Sequence, residues 1–291
     1  MLRSAMTDRC PMLLIHPPLA KPCEPPAGLA RLAGVLRAAG LRPRVYDASL
    51  DGILGLLQRT GDAEDTWSRR ARKHRAANLA AMRGPDVYRH RDRYKRAVTD
   101  LNRLLHLAGR AYGHHLSLSD CGSHLSPQRS RDLVQAAERC AANPFHPVFS
   151  RRLADMFAEE EPALVGLSLN FTSQALGAFA IIGWVRSQLP KAWIMLGGGL
   201  VTSWMHIPGF RNPFQGLVDE LVCGPGEQVL LDRCGAPRPS EGLAGAYDFT
   251  SFEHDRYLAP EPILPFSTSR GCYWRKCAFC PEKAEGETYR P

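Results

Sequence analysis

Cys272, Cys277 and Cys280 stand together in the run TSRGCYWRKCAFCPE, close to the C-terminal end of a 291-residue sequence. Thiolates this close along one loop converge on a single metal centre. Three of them would leave one iron of a [4Fe-4S] cluster with an open coordination position. Two other centres compete for the same residues. A structural zinc site wants two cysteine pairs, or a cysteine pair with histidines, and no cysteine or histidine follows Cys280. Plant-type ferredoxins use the same C-x4-C-x2-C spacing with a fourth, distant cysteine, and the final residues PEKAEGETYRP supply none. The open-sited cluster fits best, with zinc and ferredoxin-like centres kept as alternatives.

The elements that would position this loop read as α/β. ILPFSTS (263–269) has the composition of a buried strand, and Gly271 lets the chain turn out of it. Upstream, strands are expected near 12–16, 43–47, 163–169, 192–197 and 217–223. Helical spacing runs through GLARLAGVLRAAG, SQALGAFAIIGWVRSQL and the segment after GPGE. Strands alternating with helices predict a doubly wound parallel sheet built from 1–51 and 161–234. Residues 52–160 show no strand signal and predict a helical insertion, with Ser126 and Pro127 starting one of its helices. The Pro- and Gly-rich stretch 235–262 reads as a linker to the unit that begins at 263.

Composition narrows the class further. Nine cysteines and no signal-like apolar run at the N-terminus predict a reducing, cytoplasmic setting without a disulfide framework. The apolar stretch at 175–185 is too short for a membrane span. Net charge is +8, and residues 52–160 hold 19 Lys/Arg against 12 Asp/Glu, so most of the excess lies there. Both signs are interleaved, which favours a solvated helical surface over a nucleic-acid partner.

The cysteine loop after a predicted strand resembles that of the radical S-adenosylmethionine (SAM) enzymes, whose cluster loop follows the first strand of a partial (β/α) barrel. That family spaces its cysteines by three residues, then two; this chain has four, then two. Phe279 matches the family aromatic that packs near the adenine of SAM. The sheet unit in turn resembles the cobalamin-binding domain preceding the barrel in many of these enzymes. The matching stretches are HPPLAKPCEPPAGLARLAGVLRAAGLRPRVYDAS, VGLSLNFTS, IMLGGGLVT and DELVCGPGEQVLL, in family order. Ligands of open sheets bind at the carboxyl ends of the strands, which here carry Ser168, Thr172, Gly197, Gly198, Gly199, Gly224 and Glu227. The glycines would let a nucleotide tail run close to the backbone, so a bulky residue at Gly198 is expected to block the ligand and spare the fold. No D-x-H-x-x-G run occurs, so the resemblance implies cobalamin held without a histidine ligand.

The resemblance implies a [4Fe-4S] cluster on Cys272, Cys277 and Cys280 that cleaves SAM reductively, with cobalamin serving methyl transfer or a rearrangement. It also implies an electron donor such as flavodoxin or ferredoxin and a small-molecule or peptide substrate. A partial barrel would need roughly 150–200 further residues, so the sequence reads as the N-terminal part of a longer enzyme, inactive by itself. A non-catalytic cobalamin-binding protein docking on a separate barrel chain is the alternative. Glu227 could equally cap a helix. His16 reads as a hydrogen-bonded turn residue before a cofactor contact, and His114 and His115 as solvent-facing. Cys10, Cys23, Cys121, Cys140, Cys223 and Cys234 read as small packing residues. Trp274 is either a shield for the cluster or a loop anchor.

Overall fold

The computed structural model describes residues 10–59, 65–239, 247–269, 271–278 and 289. Strand β1 (Met12–His16) is buried along its whole length, as its uninterrupted apolar sequence requires of a strand covered on both faces. It pairs in parallel with β2 (Arg44–Asp47), with Leu13 opposite Arg44 and His16 opposite Asp47. Two short antiparallel strands, β3 (His115–Leu116) and β4 (Cys121–Gly122), lie apart from this sheet. On its other side β1 pairs with β5 (Leu164–Ser168), Met12 opposite Leu164. Then β6 (Trp193–Gly197) follows β5, and β7 (Glu220–Leu221) follows β6. Among the described residues the sheet order is β2-β1-β5-β6-β7, all parallel. The order reverses between β1 and β5, which opens a gap between the helices that leave those two strands.

Alternate residues of β1 feed two cores. Met12 and Leu14 pack with Leu29 and Leu36 of α1 (Ala27–Ala38), on the face that also carries Leu230 and Leu231 of α10 (Glu227–Arg233). Leu13 and Ile15 pack on the opposite face. The long β2–β5 connection lies there. It comprises α2 (Ala48–Gln58), α3 (Thr66–Ala81), α4 (Pro85–Tyr88), α5 (Arg91–Arg110), the β3–β4 hairpin, α6 (Ser130–Glu138) and α7 (His146–Glu159). Leu101 and Leu104 of α5, Phe149 of α7 and Phe179 of α8 (Thr172–Gln188) share one cluster with the sheet residues. The connection and the sheet therefore have a common core. Helix α9 (Gly199–Met205) completes the β6 crossover.

Several expectations are corrected. The β3–β4 hairpin falls within 52–160, where no strand was predicted. Its turn closes through Ser117, whose N–H donates to Asp120 O at 3.0 Å, a pairing too short to show in residue alternation. Helix α6 starts at Ser130 rather than at Ser126. The Ser126 N–H instead donates to Asp132 Oδ2 at 2.9 Å and its hydroxyl accepts from Gln128 N at 3.3 Å, a local turn that competes with helix. Strand β7 is only two residues long, and Asp219 just before it bridges to β6 twice: its N–H donates to Ile194 O at 2.9 Å and its Oδ2 accepts from Ile194 N at 2.7 Å. Arg186 holds that carboxylate at 2.6 Å and also donates to the carbonyls of Pro190, Ala192 and Leu217.

Residues 263–269 form no strand. Ile263, Leu264 and Phe266 are exposed. A strand requires a hydrogen-bonded neighbour, and none pairs with this run among the described residues. The stretch 247–258 packs as a strap across α1. Asp248 N–H donates to Ala30 O at 2.9 Å, Phe252 and Tyr257 are buried, and Tyr257 OH donates to Asp47 Oδ2 at 2.8 Å. Cys10 and Cys234 are joined in a disulfide with Cα atoms 5.7 Å apart. This corrects the packing role given to them: the start of β1 and the end of α10 meet at one edge. His114 is buried rather than solvent-facing, its Nδ1 2.8 Å from Tyr112 O, while His115 is exposed. Cys223 is exposed rather than packed. Among the described residues no helix is long and apolar enough to cross a membrane.

Candidate cofactor crevice

The carboxyl ends of β5 and β6 and the turn that follows β7 open, together with Leu14 of β1, into one crevice of about 340 Å³. Its floor is apolar, with Leu14, Leu29, Met195, Val222 and Leu230, and its rim is polar. Three turns are bound to one another around it. Asn170 Nδ2 donates to Ser168 Oγ at 3.1 Å, and Asn170 Oδ1 accepts from Gly199 N at 3.0 Å, tying the β5 turn to the start of α9. Thr202, buried on α9, donates to Gly198 O at 3.1 Å and accepts from Gly224 N at 2.9 Å, tying the β6 turn to the β7 turn. Glu227, buried at the first turn of α10, is ion-paired with Arg31 of α1 across the crevice. A carboxylate there also complements the positive end of the α10 dipole.

Of the residues expected to form a site, Ser168, Gly197, Gly198, Gly199, Gly224 and Glu227 all border this crevice. Thr172 does not; it is exposed in the first turn of α8. Phe279 and Cys280 lie outside the described residues. Cys272 and Cys277 are free, partly buried thiols. Among the described residues no three His, Cys, Asp or Glu side chains are grouped to hold a metal, so the three-thiolate set rests on sequence spacing. Trp274 is exposed, with Lys276 Nζ 5.2 Å from its ring centre. Gly271 has φ +69, the turn conformation its sequence position called for. The segment leading to the cysteines closes one side of the crevice through Ser267, Ser269 and Gly271.

The glycines divide into two kinds. A Cβ on Gly198 (φ +108) would lie 2.4 Å from Leu169 O. Gly198 therefore serves the close approach of two turns, and a bulky residue there would break the turn rather than merely fill the crevice; the expectation of a spared fold is corrected. A Cβ on Gly28 would meet only Ser168 Oγ, at 3.7 Å, and one on Gly226 only Leu32 and Val222 methyl groups at 3.8 and 3.9 Å. Both positions face open crevice space. Sequence reasoning missed Gly28, Thr202 and Arg31, whereas Asn170 and Gly226 lie inside the expected strand-end stretches 168–172 and 224–227 without having been singled out.

His16 does not border the crevice. It is buried at the end of β1, its Nε2 3.3 Å from Gln174 Nε2. Gln174 organises the turn itself: Nε2 donates to Pro17 O at 2.9 Å and Oε1 accepts from the N–H groups of Asn170 and Phe171, both at 3.0 Å. Burial lowers the His16 pKa, with a smaller opposing pull from Asp47. Burial also lowers His114, His106 and His146. Unfolded histidine binds a proton near pH 6.5 while these stay neutral, so stability falls as pH drops through that value towards the lowered pKa values. Denaturant midpoints should therefore decrease between about pH 7.5 and about pH 5.5, with a shallower slope in His16→Gln. A slope unchanged by that substitution would show that His16 carries none of the effect.

Comparison with known protein families, curated proteins and solved structures finds no match to this chain. The function is accordingly argued from the crevice and the cysteine spacing.

Proposed function

We propose that this chain gathers the cofactors of a cobalamin-dependent radical SAM enzyme, with cobalamin in the crevice and a [4Fe-4S] cluster on Cys272, Cys277 and Cys280. The observation that carries the proposal is the shared boundary: Ser267, Ser269 and Gly271 line the crevice, and Cys272 follows at once. That adjacency of crevice lining and cysteine run supports a reading in which chemistry passes between two cofactors. The crevice also fits part of the ligand. A volume of about 340 Å³ lies at the small end of ligand sites, enough for a nucleotide-sized tail and not for a whole corrin.

The chain's own residues would position the ligand. Ser168 Oγ accepts from Asn170, which leaves its hydroxyl proton to donate into the crevice. The apolar floor excludes water from the tail, and Thr202 fixes two of the three turns that shape the opening. When bound, the cluster supplies one-electron reduction of SAM and cobalamin supplies a transferable methyl group or assists a rearrangement.

Hydroxocobalamin titrated against the full chain should bind at micromolar concentration or tighter, by visible absorbance. Gly28→Phe and Gly226→Phe should each weaken binding by about tenfold or more, because both residues line the crevice and a Cβ at either meets nothing closer than 3.7 Å, so the ring can project into it. Their melting temperatures should stay near that of the parent. Binding undiminished in both variants, or none in the parent, would sink the cobalamin assignment.

A further inference from the structure

A second cavity, about 520 Å³, lies between α3, α4 and α5 and shares no lining residue with the crevice. Antiparallel stripes build it. Arg93, Arg96 and Asp100 recur on one face of α5, facing Arg70, His74 and Ala77 of α3. Its two ends differ chemically. At one end Asp100 is buried, and its Oδ1 accepts from Trp67 Nε1 at 3.1 Å and Arg70 at 3.2 Å. Among the described residues Oδ2 receives only Asn78 Nδ2, at 3.4 Å, so it keeps acceptor capacity. At the other end Arg93 and Arg96 make no ion pair or hydrogen bond among the described residues, while Asp86 nearby is engaged by Arg89.

We infer that this groove binds a nucleoside monophosphate. Asp100 Oδ2 takes an amino or hydroxyl donor from the nucleoside, and the phosphate lies on Arg93 and Arg96. From position 93 to 100 the helix rises about 10 Å, the span of such a molecule from base edge to phosphate. The alanines between the ends, Ala77, Ala81 and Ala97, leave a flat apolar wall against which a base can lie. Two uncompensated guanidinium groups suit a single phosphate by charge-assisted hydrogen bonds. The basic excess of residues 52–160 thus acquires a local purpose separate from the crevice.

The test uses the full chain and adenosine monophosphate (AMP), with adenosine and inorganic phosphate as partial ligands, by calorimetry. AMP should saturate one site and bind about tenfold or more tightly than either part, since each charge-assisted contact contributes on the order of a tenfold gain. Arg93→Ala/Arg96→Ala should reduce AMP affinity about tenfold or more and bring it to the level of adenosine. Ala77→Trp, at an exposed helix position, should abolish binding by filling the groove without disturbing the core. Gly28→Phe, which narrows the crevice, should leave AMP binding unchanged. The inference is overturned if AMP fails to saturate at millimolar concentration, if phosphate alone binds equally well, or if Gly28→Phe rather than Arg93→Ala/Arg96→Ala removes binding. Its outcome is independent of whether cobalamin binds.

Discussion

Gly183→Val should lower stability by about 3 kcal/mol or more, a severe overpacking effect, and depress the melting temperature by roughly 6–12 °C. The cause is the crossing of α6 and α8. A Cβ on Gly183 would sit 2.0 Å from Ala137 O, 2.5 Å from its carbonyl carbon and 2.7 Å from its Cα. These are backbone atoms of a packed helix, and no side-chain rotation relieves them. Helix α6 would have to move away, uncovering Leu133, Ala136 and Ile182, all buried in the shared core. Gly84→Ala is the matched control, because a Cβ there meets nothing within 4 Å. Differential scanning calorimetry of the two variants decides the matter. Equal melting temperatures would mean that α6 and α8 do not meet at Gly183.

Anaerobic reconstitution with iron and sulfide should load about four irons per chain, and replacing Cys272, Cys277 and Cys280 together with Ala should abolish uptake. Any single replacement should remove most of it, since two thiolates cannot hold a cubane against solvent. Cys272 and Cys277 are free and partly accessible, as incoming iron requires. Cys23→Ala and Cys140→Ala, at free cysteines far from the loop in sequence, should leave uptake intact. Iron analysis with electron paramagnetic resonance of the reduced protein provides the readout. One zinc per chain with no iron would establish the structural zinc alternative and remove the radical SAM reading.

The parallel sheet was legible because burial on both faces leaves a simple trace: β1, β5 and β6 are unbroken apolar runs, and each lies within a residue or two of its expected span. The crevice glycines were legible as a group, because strand ends of an open sheet face one opening. What escaped depends on contacts remote in sequence. Nothing near Glu227 announces Arg31, 196 residues away, and nothing near Cys10 announces Cys234. Gly198 and Gly28 look alike in a sequence. Only the positions of Leu169 O and Ser168 Oγ distinguish a glycine that permits a close turn from one that borders empty space. The apolar run 263–269 misled for a related reason: composition indicates willingness to pair, whereas a strand also needs a neighbour.

The register of β1 against β5 has a kinetic consequence. Each half of the sheet forms from contacts between near neighbours in the chain, β1–α1–β2 on one side and β5–α8–β6 on the other. Joining the halves brings Met12 beside Leu164 and closes the loop 48–163, an entropic cost on the order of 4 kcal/mol beyond a constant for a flexible chain. A segment already condensed into helices is a much shorter tether. Helices α3 to α7 make local contacts, which form fast, so their collapse before the halves meet lowers the barrier to closing the sheet. The segment that interrupts the α/β pattern would in this sense serve as its folding scaffold, and the crevice, lined by Leu14 of β1 and Gly166 of β5, needs that pairing in order to exist.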